Sequence, residues 1–288
     1  MNIRIEKKSG FCYGVVRAVE MADAILDRGE ILYSLGQIVH NEMEVKRLEK
    51  KGLKTISREE LTDLHDCRLL IRAHGEPPST YKIAVKNRIE IIDGTCPIVR
   101  KIQSGIASKS PEKDSLIVIY GKKDHPEVEG LFGQCPEKTI IIGSVEEVDK
   151  LPSSAIIHVY SQTTMNSDSF REIISRLEKK QMKEAGKLHV HDTICRHVSH
   201  RVPGLRKFAA ENDIIVFIGG KHSSNGKVLY QVCKEINPRS YYVSHTDEIE
   251  KSWFEDFTNV GIAGATSTPQ WQIREIAGKI SEITEKAI

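Results

Sequence analysis

The sequence predicts an α/β protein of three pseudo-threefold-related units, each built on a mostly parallel four-stranded sheet. Three observations predict it: apolar strand patterns alternate with helical ones, four landmarks recur three times in the same order, and 288 residues leave room for two or three domains. The first landmark is a strand that leads through a turn containing cysteine into a helix. Ile3-Arg4-Ile5 leads to Cys12 and the helical pattern of Val16, Val19 and Ile25; Ile89-Glu90-Ile91-Ile92 leads to Cys96 and Val99, Ile102 and Ile106; Leu188-His189-Val190 leads to Cys195 and a stretch through Leu205 to Ala210.

The second landmark is an apolar strand closed by glycine. Gly36, Gly121 and Gly219 follow their cysteines by 24, 25 and 24 residues. The third is a strand followed by an acidic pair that opens a short helix: Glu59-Glu60, Glu146-Glu147 and Asp247-Glu248, at offsets of 47, 50 and 52. The fourth is a strand (Leu69 to Ile71, Ile156 to Val159, Val260 to Ile262) that runs into a polar loop: Ala73-His74-Gly75, Ser161-Gln162-Thr163-Thr164 and Ala265-Thr266-Ser267-Thr268. A helix closes each unit, the last opened by Pro269. The units are 1–94 with Cys12, 95–192 with Cys96, and 193–288 with Cys195.

Bulk properties narrow the function classes. With 39% hydrophobic and 28% charged residues and a net charge of +2, nothing points to a nucleic-acid polymer or a membrane surface as partner. No run approaches the roughly 18 apolar residues of a spanning helix. Met1 to Glu6 alternates like a strand and has no apolar signal region, so a cytoplasmic location is expected. In that reducing compartment the six cysteines are thiols or metal ligands rather than disulfides.

Ligands of parallel sheets bind at the carboxyl ends of the strands, which is where the polar loops fall. Three related units would deliver Cys12, Cys96 and Cys195 to one centre. Each cysteine precedes a helix, whose dipole favours thiolate. Three thiolates without a nearby fourth ligand suit a cubane iron–sulfur cluster with one iron left open; a three-cysteine zinc site with one open position is the competitor. Cys67, Cys135 and Cys233 fall outside the repeat and read as small neutral residues.

The loops after the second strands carry His40-Asn41, His125-Pro126-Glu127 and Ser223-Ser224-Asn225. With His74, Thr163, Thr164 and Ser267 they offer neutral donors beside helix N-termini, which is what a phosphate or diphosphate needs. Glu127 follows a strand-end histidine and reads as a proton donor whose pKa burial would raise. Glu129 is expected to be structural.

Gly10-Phe11-Cys12-Tyr13-Gly14-Val15, Val39-His40-Asn41, Ala73-His74-Gly75, Thr95-Cys96-Pro97, His125 to Gly130, Gln162-Thr163-Thr164 and Ser223-Ser224-Asn225 together resemble the 4-hydroxy-3-methylbut-2-enyl diphosphate reductase (IspH/LytB) family over nearly the whole chain. The resemblance implies a trefoil of three α/β domains around a central [4Fe–4S] cluster on Cys12, Cys96 and Cys195. It implies two-electron reductive removal of the substrate hydroxyl, giving isopentenyl and dimethylallyl diphosphate, the last step of the non-mevalonate isoprenoid pathway. Glu127 would supply protons with Thr163 and His125 nearby, while His40, His74, Ser223, Ser224, Asn225 and Ser267 would hold the diphosphate. The electrons would come from a ferredoxin- or flavodoxin-type donor.

One segment departs from the family pattern. After the third cysteine the pattern Cys-x-Ala-Thr-x-x-Arg-Gln is replaced by Cys195-Arg196-His197-Val198-Ser199-His200-Arg201-Val202, which keeps only the arginine. Two rival readings stand beside this one: a cluster enzyme of the quinolinate synthase type, and a non-enzymatic cluster sensor or zinc scaffold.

Overall fold

The computed structural model describes residues 1–183, 185–255 and 257–285. The chain runs β1 (Asn2–Ile5), α1 (Tyr13–Leu26), β2 (Leu32–Leu35), α2 (Glu42–Lys50), β3 (Leu53–Ile56), α3 (Arg58–Leu61), β4 (Arg68–Ile71) and α4 (Pro78–Lys86). It continues through β5 (Glu90–Asp93), α5 (Pro97–Ala107), β6 (Ser115–Tyr120), α6 (Pro126–Phe132), β7 (Thr139–Ile142), β8 (Ile156–Ser161) and α7 (Ser167–Lys183). The last third comprises β9 (Lys187–Val190), α8 (Arg196–Ser199), α9 (Val202–Ala210), β10 (Ile214–Ile218), α10 (Ser224–Ile236), β11 (Ser240–Val243), β12 (Asn259–Gly264) and α11 (Gln270–Glu285).

Among the described residues the strands form three four-stranded parallel sheets. One has the order β7-β6-β8-β9, another β1-β12-β10-β11, and the third takes β2 to β5. β1, expected to open the first unit, pairs with β12 from Asn2↔Asn259 to Ile5↔Ile262. A parallel partner needs a long crossover in any case, so the first strand is free to complete the sheet of the last three.

By its contacts the chain divides into two compact units, Met1–Thr55 with Arg196–Ile288, and Ile56–Cys195. The central strands explain both cores. All five residues of β10 are fully buried: Ile214, Val216 and Ile218 face Ile273, Ile276 and Ile280 of α11, while Ile215 and Phe217 face Leu205 of α9 and Leu229 of α10. β6 repeats the pattern in the other unit. Leu116, Val118 and Tyr120 pack on Phe170, Ile173 and Leu177 of α7, and Ile117 and Ile119 pack on Ile102 and Ile106 of α5 and Val128 and Leu131 of α6. A strand covered on both faces has no polar side, so it reads as an unbroken apolar run.

The acidic pairs are found where expected, in differing geometry. Glu59-Glu60 sits in α3, where Ser57 and Glu60 form a reciprocal capping box. Glu146-Glu147 and Asp247-Glu248 sit in single 3₁₀ turns (Glu146–Lys150 and Thr246–Glu248). The helix after the third cysteine is broken into α8 and α9, since Pro203 in the first turn of α9 cannot donate a backbone bond to an earlier turn. No helix among the described residues is long and apolar enough to cross a membrane.

Candidate active site

One local arrangement occurs three times. Cys12 caps the N-terminus of α1, Cys96 that of α5, and Cys195 immediately precedes α8. Each donates its backbone N–H to a carbonyl in the polar loop after a fourth strand: Cys12 to Thr266 at 3.1 Å, Cys96 to Ala73 at 3.0 Å and Cys195 to Thr163 at 2.8 Å. Neither Cys12 nor Cys96 uses its side chain as a cap. All three thiols are partly exposed, and none is in a disulfide.

The other cysteines differ. Burial pushes the thiols of Cys67 and Cys135 up, and that of Cys233 up to about 12. Cys135 and Cys233 pack in the apolar layer under β6 and β10 respectively. Burial thus disfavours the thiolate at all three.

Within the unit Ile56–Cys195, the structure brings Glu127, Thr163, His125, His74, Cys96 and Cys195 to strand ends. His125 caps α6, its Nδ1 accepting the Glu127 N–H at 3.2 Å. A neutral ring therefore carries its proton on Nε2. The Glu127 side chain turns inward and the residue is 3% exposed. Its Oε1 accepts the Thr163 N–H at 2.7 Å and its Oε2 the Thr163 hydroxyl at 2.8 Å. Burial raises the Glu127 pKa above the ordinary carboxyl value, and the two Thr163 donors only partly offset this. Thr163 thus holds Glu127 by its amide and hydroxyl and Cys195 by its carbonyl.

The ring of His74 meets that of His125 edge to face, with centroids 5.3 Å apart. The His74 loop turns at Gly75 (φ +70°), where a Cβ would lie 2.6 Å from Gln103. Glu129 points outward to Arg58 at 3.1 Å.

The other unit holds Cys12, His40, Ser223, Ser224, Asn225 and Ser267. Ser223 caps α10, its Oγ accepting the Gly226 N–H at 3.0 Å and lying 3.1 Å from the Ser267 hydroxyl. Ser224 opens the helix, and Asn225 donates its side-chain amide to the Thr266 hydroxyl. Gly220 packs against the His40 backbone so tightly that a Cβ would lie 2.2 Å from the His40 carbonyl oxygen. The loops after β2, β10 and β12 therefore meet at the positive end of α10, a place suited to an anion.

Sequence reasoning passed over two parts of this arrangement. Thr266 ties Cys12 to Asn225; its place in the loop equivalent to that of Thr163 was the available signal. Arg201, 1% exposed, pairs with Glu6 at 2.9 Å and donates to Gly264 O at 2.6 Å and to Ser9, whose hydroxyl in turn donates to Glu6. Its retention in the otherwise divergent segment was the signal there.

The family model of the LytB protein matches residues 3–281. The chain belongs to the LytB protein family. Relatives named 4-hydroxy-3-methylbut-2-enyl diphosphate reductase include those of Phocaeicola vulgatus, 48% identical with 96% of each chain covered, and Bacteroides fragilis, 47% identical with 97% of each covered. The E-1-hydroxy-2-methyl-but-2-enyl-4-diphosphate reductase of Plasmodium falciparum superposes with a TM-score of 0.84 at 28% identity, over 96% of this chain and 87% of its own. A solved (E)-4-hydroxy-3-methyl-but-2-enyl diphosphate reductase, described as the terminal enzyme of the non-mevalonate pathway, superposes at 0.75 with 33% identity, over 98% and 100%. This chain is a LytB protein in architecture as well as in sequence.

The contrast between the two sets of thiols is testable in metal-free protein. Iodoacetamide at neutral pH, followed by peptide mass spectrometry, should label Cys12, Cys96 and Cys195 at least about tenfold faster than Cys135 and Cys233, because reaction requires access and thiolate. Equal rates for the two sets would contradict the assignment.

Proposed function

We propose that the chain is a 4-hydroxy-3-methylbut-2-enyl diphosphate reductase, converting (E)-4-hydroxy-3-methylbut-2-enyl diphosphate to isopentenyl and dimethylallyl diphosphate at the end of the non-mevalonate pathway. The observation that carries the reading is a nearly full-length family match whose relatives bear that name, in a chain that links a buried carboxyl through one threonine to a ligand-competent cysteine.

Cys12, Cys96 and Cys195 are the proposed holders of a [4Fe–4S] cluster, one from each of the units 1–94, 95–192 and 193–288. The donor set fits it: three partly exposed thiols at helix starts, with amides already engaged and, at Cys12 and Cys96, no side-chain cap bond. When bound, the cluster supplies electrons singly and a Lewis-acidic iron for an oxygen ligand. A ferredoxin- or flavodoxin-type protein is the proposed source of electrons.

The chain's own residues account for the rest. Replacing the hydroxyl by hydrogen consumes two electrons and two protons and releases one water. An allylic hydroxide is a poor leaving group, so one proton must reach its oxygen. Glu127 is the proposed source: its raised pKa keeps a proton on the carboxyl at higher pH than an exposed glutamate would, and the Thr163 hydroxyl, which both donates and accepts, relays it. His125 fixes the first turn of α6, from which the Glu127 carboxyl projects, by accepting the Glu127 backbone N–H. His40, His74, Ser223, Ser224, Asn225 and Ser267 hold the diphosphate with neutral donors, aided by the N-terminus of α10.

Anaerobic turnover of the allylic diphosphate, with iron and sulfide analysis, tests the whole reading. Wild type and Cys67→Ser, Cys135→Ser and Cys233→Ser should carry about four iron and four sulfide. Cys12→Ser, Cys96→Ser and Cys195→Ser should lose cluster and activity. Zinc without sulfide in the wild type would exclude the cluster.

Glu127→Gln retains size but has no acidic proton. With a full cluster it should turn over roughly 10²–10⁴-fold more slowly, while Glu129→Gln should match wild type. Because the protonated form of Glu127 is the active one and its pKa is raised, wild-type kcat should be flat at low pH and fall as pH rises through that raised value. A normal rate for Glu127→Gln at full cluster content would transfer the role to another group.

Asn225→Ala should weaken binding of the diphosphate substrate about 10- to 150-fold, the scale of a lost charge-assisted hydrogen bond. Isothermal titration of the anaerobic protein measures it, and unchanged affinity would remove Asn225 from the pocket.

A further inference from the structure

The reductase reading leaves the divergent segment after Cys195 unused, yet that segment shapes a surface. Within the unit containing α1 and α8, a cleft of about 400 Å³ opens beside Cys12. Lys8, Tyr13, Arg196, His197 and His200 line it with Cys12, and all but the cysteine are exposed; Tyr13 is 65% exposed. No carboxylate lines it among the described residues.

Some exposed arginines elsewhere on the protein are paired with a carboxylate. Arg88 pairs with Asp66, Arg28 with Glu30, Arg206 with Glu235 and Arg176 with Asp149. Lys8 and Arg196 make no such pair among the described residues, although Glu6 lies two residues from Lys8. Glu6 is turned inward: its carboxylate takes the Arg201 guanidinium at 2.9 Å and the Lys8 backbone N–H at 3.0 Å, and makes no ion pair with the Lys8 ammonium. The cleft therefore presents uncompensated positive charge around an exposed aromatic ring, with a proposed cluster ligand in its wall. A charged rim around an aromatic contact is how protein interfaces combine steering with affinity.

We propose that this cleft is the docking surface for the reductase's electron donor, an acidic one-electron carrier protein of the flavodoxin or ferredoxin class. The inference rests on the reductase reading above. Arg196 and Lys8 attract the donor's carboxylates, Tyr13 packs against the rim of its redox centre, and Cys12 brings the proposed cluster to the contact. Each encounter moves one electron: the donor is oxidised by one electron and the enzyme reduced by one, so two encounters serve one turnover.

The test uses cluster-loaded enzyme with reduced flavodoxin and reduced [2Fe–2S] ferredoxin as donors, and dithionite-reduced methyl viologen as a reductant that needs no docking surface. Arg196→Glu and Lys8→Glu should each raise KM for the protein donor about tenfold at low salt and leave turnover with methyl viologen unchanged. Raising ionic strength from about 0.02 to 0.5 M should weaken the wild type towards the variants, since exposed charges are screened. Titration calorimetry of the oxidised donor against holoenzyme should show the same loss of affinity. If Arg196→Glu, beside Cys195, fails to hold its cluster, Lys8→Glu decides the matter. Donor KM and affinity unchanged in Lys8→Glu, or a wild type that methyl viologen drives but neither protein does, overturns the docking surface while the reductase reading stands. A cluster-loaded wild type that no reductant drives overturns the reductase reading instead.

Discussion

The candidate site depends on one hydrogen bond made three times, from the amide of a cysteine at a helix start to a carbonyl in the loop beyond a fourth strand. In a parallel sheet all strands end on the same side, so the loops that leave them and the helices that follow share that side. The amide bond fixes the cysteine backbone without engaging its sulfur. Ordinary helix caps spend the side chain on the first free amides; Cys12 and Cys96 do not. The same loops supply Thr163, Thr266 and Ser267, so holding the cysteines and presenting the polar groups are one structural act.

Two inward-facing carboxyls show how burial and neighbouring groups compete over a proton. Glu76 has Arg58 at 2.9 Å and Arg72 at 3.6 Å, which oppose the upward push of burial without cancelling it, so its pKa still rises. Glu127 meets only the amide and hydroxyl of Thr163. Dipoles compensate a buried charge less than a cation does, so burial governs Glu127 and its pKa rises. The chemistry assigned to Glu127 thus follows from its burial, offset only by the two donors of Thr163.

Much of this was legible in the sequence, for identifiable reasons. Fully buried strands such as Ile214 to Ile218 and Leu116 to Tyr120 announce themselves because neither face tolerates a polar residue. The cysteine turns were legible because three copies at one spacing are hard to confuse with a lone thiol. Partner choice was not legible: β1 is a four-residue edge strand whose pattern says nothing about pairing with β12, more than 250 residues away. The bonds that hold Glu127 inward, from the Thr163 amide and hydroxyl, were not legible, while Glu129 two residues later has the same chemistry and faces Arg58 at the surface. A seven-residue helix places successive carboxylates on different sides, and only the packing of Val128 and Leu131 onto β6 decides which one goes in.

The segment Arg196 to Arg201 shows why sequence divergence beside a proposed ligand need not disturb it. Its two ends are held by different means: the amide of Cys195 by Thr163, and the guanidinium of Arg201 by Glu6, Ser9 and Gly264. Removing the buried arginine alone would strand the Glu6 carboxylate, the kind of loss that typically costs about 3–5 kcal/mol, which accounts for a conserved-pattern arginine inside an otherwise altered stretch. Between these fixed points α8 is a single turn with Arg196, His197 and His200 exposed. Substitutions there change the charge of the surface and leave the two attachments intact. The segment is thus held at both ends, so substitutions between Cys195 and Arg201 alter the rim of the Cys12 cleft without removing either attachment.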